Sequence, residues 1–209
     1  MKIAVVCANG KAGRLIAEEA VKRGHEVTAV VRGENRSAAP AALIKDIFDV
    51  TAADLAGFDA VVDAFGAWTP DAIPQIPVAA AHMCDVLSGS DTRLVIVGGA
   101  GSLYTDPSHT QTVADGKDFP DAFKPLAAAH DEALKALRGR NDVNWTYVSP
   151  AADFRADGEK TGSYTLAGEE LTLNKRGESV ISYADYALAI VDEIERGKNF
   201  RRRISVVGE

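Results

Sequence analysis

Short runs of apolar, β-branched residues alternate with stretches of helical periodicity from the first residues of the chain onward. The runs Ala60-Val61-Val62 and Leu94–Val97 are apolar on both faces, which is typical of central strands in a parallel sheet covered by helices on both sides. This alternation predicts an α/β fold with a doubly wound parallel sheet. We predict strands at Lys2–Cys7, Glu26–Val31, Leu43–Ile47, Asp59–Ala64, Arg93–Val97 and Trp145–Val148, and helices at Arg14–Arg23, Ile76–Leu87 and Asp121–Leu137.

The C-terminal part of the chain has shorter segments. Ser182 with Asp185 three residues later resembles a capping box, which opens a helix. We predict one domain, residues 1–209, in which residues 151–182 form a small C-terminal lobe on the acceptor side. Its elements are strands at Gly162–Leu166 and Glu170–Leu173 around a Gly168 turn, followed by a helix through Glu195 and a final strand at Arg203–Val207.

Composition argues against several classes of function. The chain has 209 residues and a formal net charge of −7, whereas a protein that binds nucleic acid usually carries a basic face. The cluster Arg201–Arg203 is short and isolated, so we expect a solvated strand edge. Cys7 and Cys84 form no disulfide framework, which favours a cytoplasmic location. No run is long enough to span a membrane, and we expect no metal site and no nucleic-acid or membrane partner.

The sequence CANGKAG joins the first predicted strand to the first predicted helix. In a dinucleotide-binding loop, one glycine makes a tight turn, a second admits the diphosphate, and a third lets helix and strand pack closely. Gly10 and Gly13 occupy the second and third positions, and Cys7 occupies the first. Cys7 can make the turn if its φ angle stays negative. We expect it to be a buried, inert thiol rather than one activated by the helix N-terminus.

This loop has two interpretations, a structural turn or a phosphate-binding site. Its place between the first strand and a helix, with a second strand following, favours the phosphate-binding site. There the helix N-terminus supplies free N–H groups and the positive end of a dipole. We predict cofactor contacts from Asn9, Gly10, Lys11, Ala12 and Gly13.

The end of the second strand indicates which nucleotide binds. An NAD site places an acidic residue there, whereas an NADP site places an arginine for the 2′-phosphate. Arg32 ends this strand, so we predict that it binds the 2′-phosphate with help from Arg36 and that NADP(H) is favoured over NAD(H). A solvated arginine is the alternative. Further cofactor contacts are predicted at Asp46 and Ile47, beside the adenine, and at Ala64, Phe65, Gly66, Gly98, Gly99, Ser149 and Pro150.

Longer segments carry a resemblance to a known family over nearly the whole chain. They are CANGKAG, VVRG, KDIFDVT, VVDAFG, RLVIVGGAGSL, WTYVSPAADF, GEKTGSYTL and ISYADYALAIVDEIE. Together they resemble the atypical short-chain dehydrogenase/reductases, and among them the NADH-flavin reductase group related to flavin/biliverdin-IXβ reductase and NmrA-like regulators. The resemblance implies a Rossmann-type core, NAD(P)H binding and flavin reduction. The chain departs from it at Cys7, usually glycine, and at Phe123 and Lys124, where tyrosines are common.

The Tyr-x-x-x-Lys pair of the wider superfamily is missing, because none of the five tyrosines has a lysine four residues later. Alcohol–ketone chemistry, which needs a proton delivered to an alkoxide, is therefore disfavoured. A flavin or quinone-like small-molecule acceptor escapes this requirement, since its proton can come from solvent. Catalytic residues are unassigned. Ser102 and His130 are candidates, and the alternative for His130 is a solvated helix histidine.

The protein's task in flavin reduction is to hold two flat rings at reactive distance. The residues that could line that face are Phe65, Trp68, Ser102, Tyr104, Phe123 and Phe154, and ordinary packing explains them equally well. The missing pair also suits a second hypothesis, a non-catalytic NADP(H)-binding redox sensor of the NmrA-like type. We further expect that the helix at Asp121–Leu137 can pair in a homodimer.

Overall fold

The structure, a computed structural model, describes all 209 residues and contains ten strands and four α-helices. The strands are β1 (Lys2–Val6), β2 (Glu26–Val31), β3 (Ala41–Ile44), β4 (Ala60–Asp63), β5 (Arg93–Val97), β6 (Asn144–Ser149), β7 (Asp153–Arg155), β8 (Tyr164–Ala167), β9 (Val180–Ser182) and β10 (Arg202–Gly208). The helices are α1 (Lys11–Lys22), α2 (Gln75–Leu87), α3 (Lys124–Arg138) and α4 (Tyr183–Arg196). Eight strands form one sheet in the order β3-β2-β1-β4-β5-β6-β10-β8, in which only the β10–β8 pairing is antiparallel.

Helices cover both faces of the large sheet. Alternate residues of β1 show the division, since Ile3 and Val5 lie in the core beneath α1 and α4. Ala4 and Val6 lie in the core beneath α2 and α3. All four side chains are fully buried, as expected for a strand covered on both faces. The predicted doubly wound α/β fold is confirmed.

Several element boundaries differ from the prediction for local reasons. α1 begins at Lys11 instead of Arg14, because Gly10 has extended backbone and serves as the N-cap. α3 begins at Lys124, because Asp121–Phe123 form a separate 3₁₀ turn before it. β3 ends at Ile44, ahead of Asp46, whose side chain caps another short 3₁₀ turn. None of the helices is both long and apolar enough to cross a membrane.

The C-terminal region departs more strongly from the prediction. Glu170–Leu173 do not form a strand beside β8. Instead, Leu171 donates its N–H to the carbonyl oxygen of Tyr104 (2.8 Å), and Tyr104 donates its N–H to the carbonyl oxygen of Glu169 (3.0 Å). The predicted hairpin is wrong because this segment pairs with a residue far away in sequence. The small parallel sheet of β7 and β9 was not predicted.

Arg203 is buried, which contradicts the expected solvated strand edge, although Arg201 and Arg202 are exposed. Its guanidinium donates hydrogen bonds to the carbonyl oxygens of Ser102 (2.8 Å) and Glu169 (3.0 Å) and forms an ion pair with the Glu169 carboxylate. A charged group can be buried when it is paired in this way. Arg203 thus ties β10 to the segment that follows β5.

Candidate functional site

Two neighbouring parallel strands send their following helices to opposite faces of the sheet. β1 leads into α1 on one face, and β4, hydrogen-bonded to β1, leads to α2 on the other. In open α/β sheets, ligands bind in the crevice outside the carboxyl ends of the strands at such a switch point. The loops at this edge are residues 7–10, after β1, and residues 64–66, after β4.

Backbone atoms approach closely in the turn from β1 into α1. Gly10 donates its N–H to the carbonyl oxygen of Cys7 (2.9 Å). A Cβ atom added at Gly13 would lie only 2.6 Å from the carbonyl oxygen of Cys7 and 2.9 Å from Cα of Ala8. A Cβ atom added at Gly10 would lie 3.2 Å from the same carbonyl oxygen. No side chain fits at Gly13 without a backbone shift. Gly13 therefore allows the close helix–strand packing that the third glycine of a nucleotide loop provides.

Cys7 adopts a φ angle of +59°, so the expectation of a negative φ is wrong. This left-handed conformation is uncommon for a residue that carries a side chain. The turn thus keeps a glycine-like backbone although a cysteine occupies it. Burial, with a further contribution from the negative charge of Asp63, raises the pKa of the Cys7 thiol to about 12. A thiol with this pKa stays protonated at neutral pH, as expected for an inert thiol, although Cys7 is half-buried and not fully buried.

The first turn of α1 leaves three backbone donors unpaired. The N–H groups of Lys11, Ala12 and Gly13 reach no acceptor in the protein, no side chain caps the helix, and the first turn contains no acidic residue. Free N–H groups and the positive end of the helix dipole together bind anions. This end of α1 therefore fits a diphosphate. Lys11 and Arg14 add two exposed cations next to it.

The side chain of Arg32, directly after β2, is 85% exposed, and its only ion pair is a long one with Asp46 (3.9 Å). Its guanidinium is free to bind an added phosphate group. Ile47 is buried in the core, so its side chain does not reach the crevice as predicted. Sequence reasoning missed the next residue, Phe48, which is partly exposed and packs edge-on against Phe65 at 6.1 Å between ring centroids.

The side chain of Asn9 joins the loop after β1 to the loop after β2. Its Nδ2 donates to the carbonyl oxygen of Glu34 (2.8 Å), and its Oδ1 accepts from the N–H of Arg36 (2.7 Å). Both ends of the amide are therefore engaged within the protein. Direct contact between Asn9 and a cofactor, as predicted from the sequence, is not needed to explain this residue.

Gly98 and Gly99 follow β5 and lie against two aromatic rings. A Cβ atom at Gly98 would collide with the ring of Tyr147, and one at Gly99 would lie 3.0 Å from the ring of His130. Gly99 donates its N–H to Oη of Tyr147 (2.9 Å), and this oxygen lies 3.3 Å from Nδ1 of His130. Packing within the protein thus explains both glycines, independently of any room they leave for a nicotinamide.

His130 is not the solvated helix histidine of the alternative interpretation, because it is half-buried against Gly99. Burial lowers the pKa of its imidazole to about 4, so the ring is neutral at pH 7. Tyr147 is fully buried, and burial raises the pKa of its hydroxyl above the usual value. Neither group is a ready proton donor at neutral pH.

Three of the predicted acceptor-side residues make contacts within the protein. Oγ of Ser102 accepts a hydrogen bond from Arg203 (3.0 Å), and the residue is only 8% exposed. The ring of Tyr104 stacks on His109 (4.2 Å between centroids), and that of Phe154 stacks on Tyr183 (3.8 Å). Packing is a sufficient explanation for all three.

Other predicted residues differ in their exposure. Trp68 and Phe123 are 68% and 49% exposed, so their rings are available to a ligand. Ser149 and Pro150, at the end of β6, are buried, and the Ser149 hydroxyl has no hydrogen-bond partner. A cavity of about 420 Å³ lies between α3 and residues 101–115, with Tyr104 in its wall. No group of three histidine, cysteine, aspartate or glutamate side chains is placed to hold a metal ion.

A switch-point crevice bordered by a glycine loop and an unpaired helix N-terminus defines a dinucleotide-binding protein of the Rossmann type. Comparison with known families agrees, since the model of the NAD(P)H-binding family matches residues 7–196. The chain belongs to the NAD(P)H-binding family.

Individual relatives cover the full length of the chain. A solved structure from Streptococcus pneumoniae, named as a putative NADH-flavin reductase, is 55% identical over 100% of both chains, with a TM-score of 0.98. The uncharacterized protein YwnB of Bacillus subtilis is 43% identical, covering 100% of this chain and 99% of its own. A Lactobacillus casei structure is 35% identical over 99% of both chains, with a TM-score of 0.88.

Proposed function

We propose that the protein uses NADPH to reduce a flavin or quinone-like acceptor. The observation that carries the proposal is a contrast between the two sides of the crevice. The α1 side offers three unpaired N–H groups and exposed cations for an anionic coenzyme. The β5 side offers a neutral histidine and a buried tyrosine, neither suited to protonating an alkoxide. An acceptor that takes its proton from water fits this contrast best.

The coenzyme would be held chiefly by backbone groups. The N–H groups of Lys11, Ala12 and Gly13 would bind the diphosphate, as helix N-termini do. The preference for NADPH rests on Arg32 and Arg36, which would bind the 2′-phosphate. The remaining contacts would come from Asp46 and Phe48 beside the adenine, and from Ala64, Phe65, Gly66, Gly98 and Gly99 along the other strand ends. Ser149 and Pro150 are buried, so they would contribute no direct contact.

When bound, the reduced coenzyme supplies a hydride, and a flavin that accepts it at N5 gains its balancing proton from water. The chain then has to orient two flat rings at reactive distance and needs no acid–base residue. Gly98 and Gly99 would keep one surface free of side chains. His130, neutral behind Gly99, would bring no charge to the site of hydride transfer. Trp68 and Phe123 are the exposed rings available to contact the acceptor.

The name of the Streptococcus pneumoniae structure supports a flavin as the acceptor. Cys7 and Cys84 are both free thiols, and their number and state support a cytoplasmic location. We also propose that residues 151–182 form a small lobe on the side of the crevice where the acceptor binds.

The test is a calorimetric titration with NADPH and NADH, followed by an acceptor screen with FMN, riboflavin and a quinone. We expect binding of NADPH and steady oxidation of it with at least one acceptor. Binding without turnover for any acceptor would contradict the reductase and favour the non-catalytic redox sensor. Absence of coenzyme binding would contradict both functions.

A further inference from the structure

Asn9 lies in the phosphate-binding loop, but its side chain is directed at another loop. The amide donates from Nδ2 to the carbonyl oxygen of Glu34 and accepts at Oδ1 from the N–H of Arg36. These are two backbone groups of one exposed loop, and a single planar amide matches both of them. Glu34 lies 25 residues and Arg36 lies 27 residues after Asn9 in the sequence, so the amide joins two separate parts of the crevice.

The loop that Asn9 holds carries the two arginines of the proposed 2′-phosphate site. Residues 32–36 belong to no helix or strand, and four of these five residues are exposed. The Arg32 side chain has only the long contact with Asp46 to restrain it. Asn35 bonds only within the following turn, to Ser37 and Ala39. The side-chain link between this loop and the phosphate-binding loop is therefore the Asn9 amide.

We infer that Asn9 is a positioning residue for coenzyme selectivity. It fixes the backbone of residues 34–36, and through that backbone it places Arg32 and Arg36 for the 2′-phosphate. The inference rests on the proposed use of NADPH. It differs from direct cofactor binding by Asn9, because the amide acts on the protein and leaves the diphosphate to the N–H groups of α1. Holding a binding group in place before the ligand arrives reduces the cost of binding.

The test compares the binding of NADPH and NADH by calorimetry in the wild type and in Asn9→Ala. We expect the Kd for NADPH to rise about tenfold while the Kd for NADH changes less than about threefold, as for loss of preorganisation at the 2′-phosphate alone. Lys11→Ala provides the contrast, since removing a charge beside the diphosphate should raise the Kd for both coenzymes by the same factor. Asn141→Ala, at an exposed position outside the site, is the neutral control. Equal weakening of both coenzymes by Asn9→Ala would overturn the inference.

A double-mutant cycle separates positioning from general damage to the fold. If Asn9 acts through Arg32 and Arg36, adding Asn9→Ala to Arg32→Ala/Arg36→Ala should leave the NADPH affinity of that double variant unchanged. Full additivity of the two effects would contradict the inference. Should Asn9→Ala fail to fold, Asn9→Ser takes its place, because a serine hydroxyl is too short to reach both backbone groups.

Amide hydrogen exchange provides a readout that requires no coenzyme. We expect the N–H of Arg36 to exchange faster in Asn9→Ala than in the wild type, with exchange unchanged in β5. If the wild type binds neither coenzyme, the proposed function fails and exchange alone decides whether Asn9 orders this loop. Unchanged exchange at Arg36 would then overturn the inference.

Discussion

The carbonyl oxygen of Cys7 faces Gly13 so closely that an added Cβ atom would stand 2.6 Å from it. Gly13→Ala is therefore expected to destabilise the protein by about 1–3 kcal/mol through overpacking, although alanine is the better helix former. Urea denaturation measures the change. Gly33→Ala is the matched control, because an added Cβ there meets nothing within 4 Å. A stability loss of the same size in both variants would contradict the steric explanation.

Cys7→Gly should relieve backbone strain. Cys7 has a φ angle of +59°, and the left-handed conformation costs a residue with a side chain about 1–2 kcal/mol relative to glycine. Cys7→Ala removes the thiol but keeps the strain, so it is the matched control. We expect the glycine variant to be more stable than the alanine variant by about 1 kcal/mol and to bind NADPH at least as tightly as the wild type. A large loss of NADPH affinity in Cys7→Gly alone would show that the thiol has a role in binding.

Asp63 makes stability depend on pH in an unusual direction. Burial raises the pKa of its carboxyl group from 3.8 to about 6, and its hydrogen bond from the Phe65 N–H opposes the rise only in part. The unfolded chain therefore releases this proton at lower pH than the folded chain does, so stability falls as pH rises from about 4 to 6. Above pH 6 the cost is fully present, at about 1–3 kcal/mol.

Asp63→Asn removes this titration and keeps an oxygen for the Phe65 N–H. We expect it to be more stable than the wild type at pH 8 and equal to it below about pH 4, as measured by denaturant unfolding at each pH. The exposed variant Asp71→Asn should leave the wild-type pH dependence in place. A wild type that gains stability between pH 4 and 6 relative to Asp63→Asn would contradict the assignment.

His130 is expected to contribute little to turnover. A general acid typically contributes a factor of about 10²–10⁴ to the rate, but the pKa of about 4 leaves this imidazole neutral at pH 7. His130→Asn should therefore lower kcat for the flavin by less than about tenfold, and the pH–rate profile between pH 6 and 8 should show no step from this group. A loss of a hundredfold or more would show that His130 delivers the proton.

Much of the fold follows from local pattern. Runs such as Ala60-Val61-Val62 are buried on both faces, and a short continuous run of apolar, β-branched residues predicts such a covered parallel strand. The environment of Arg203 was not predictable in the same way, because its partners Ser102 and Glu169 lie 101 and 34 residues away in sequence. Nor could the sequence show that Glu169 and Leu171 pair with Tyr104 rather than with β8.

The site was predictable to a similar degree. The spacing of Gly10 and Gly13 indicates the close approach of helix and strand that the structure contains. The spacing does not reveal the sign of φ at Cys7, since backbone conformation at a single turn residue depends on the whole loop. Exposure also decides which neighbour can contact a ligand. The sequence predicts Ile47 beside the adenine, whereas Phe48 is the more accessible residue in the structure.

The most direct test of a coenzyme held between the α1 N-terminus and Arg32 is calorimetric titration of the wild type and of Arg32→Ala with NADPH and NADH. We predict that the wild type binds NADPH more tightly than NADH. Arg32→Ala should raise the Kd for NADPH about tenfold or more, in line with a lost charge-assisted contact to phosphate. The Kd for NADH should change by less than about twofold, because NADH has no 2′-phosphate for Arg32 to bind. No binding of either coenzyme to the wild type, or equal weakening of both by Arg32→Ala, would contradict the account.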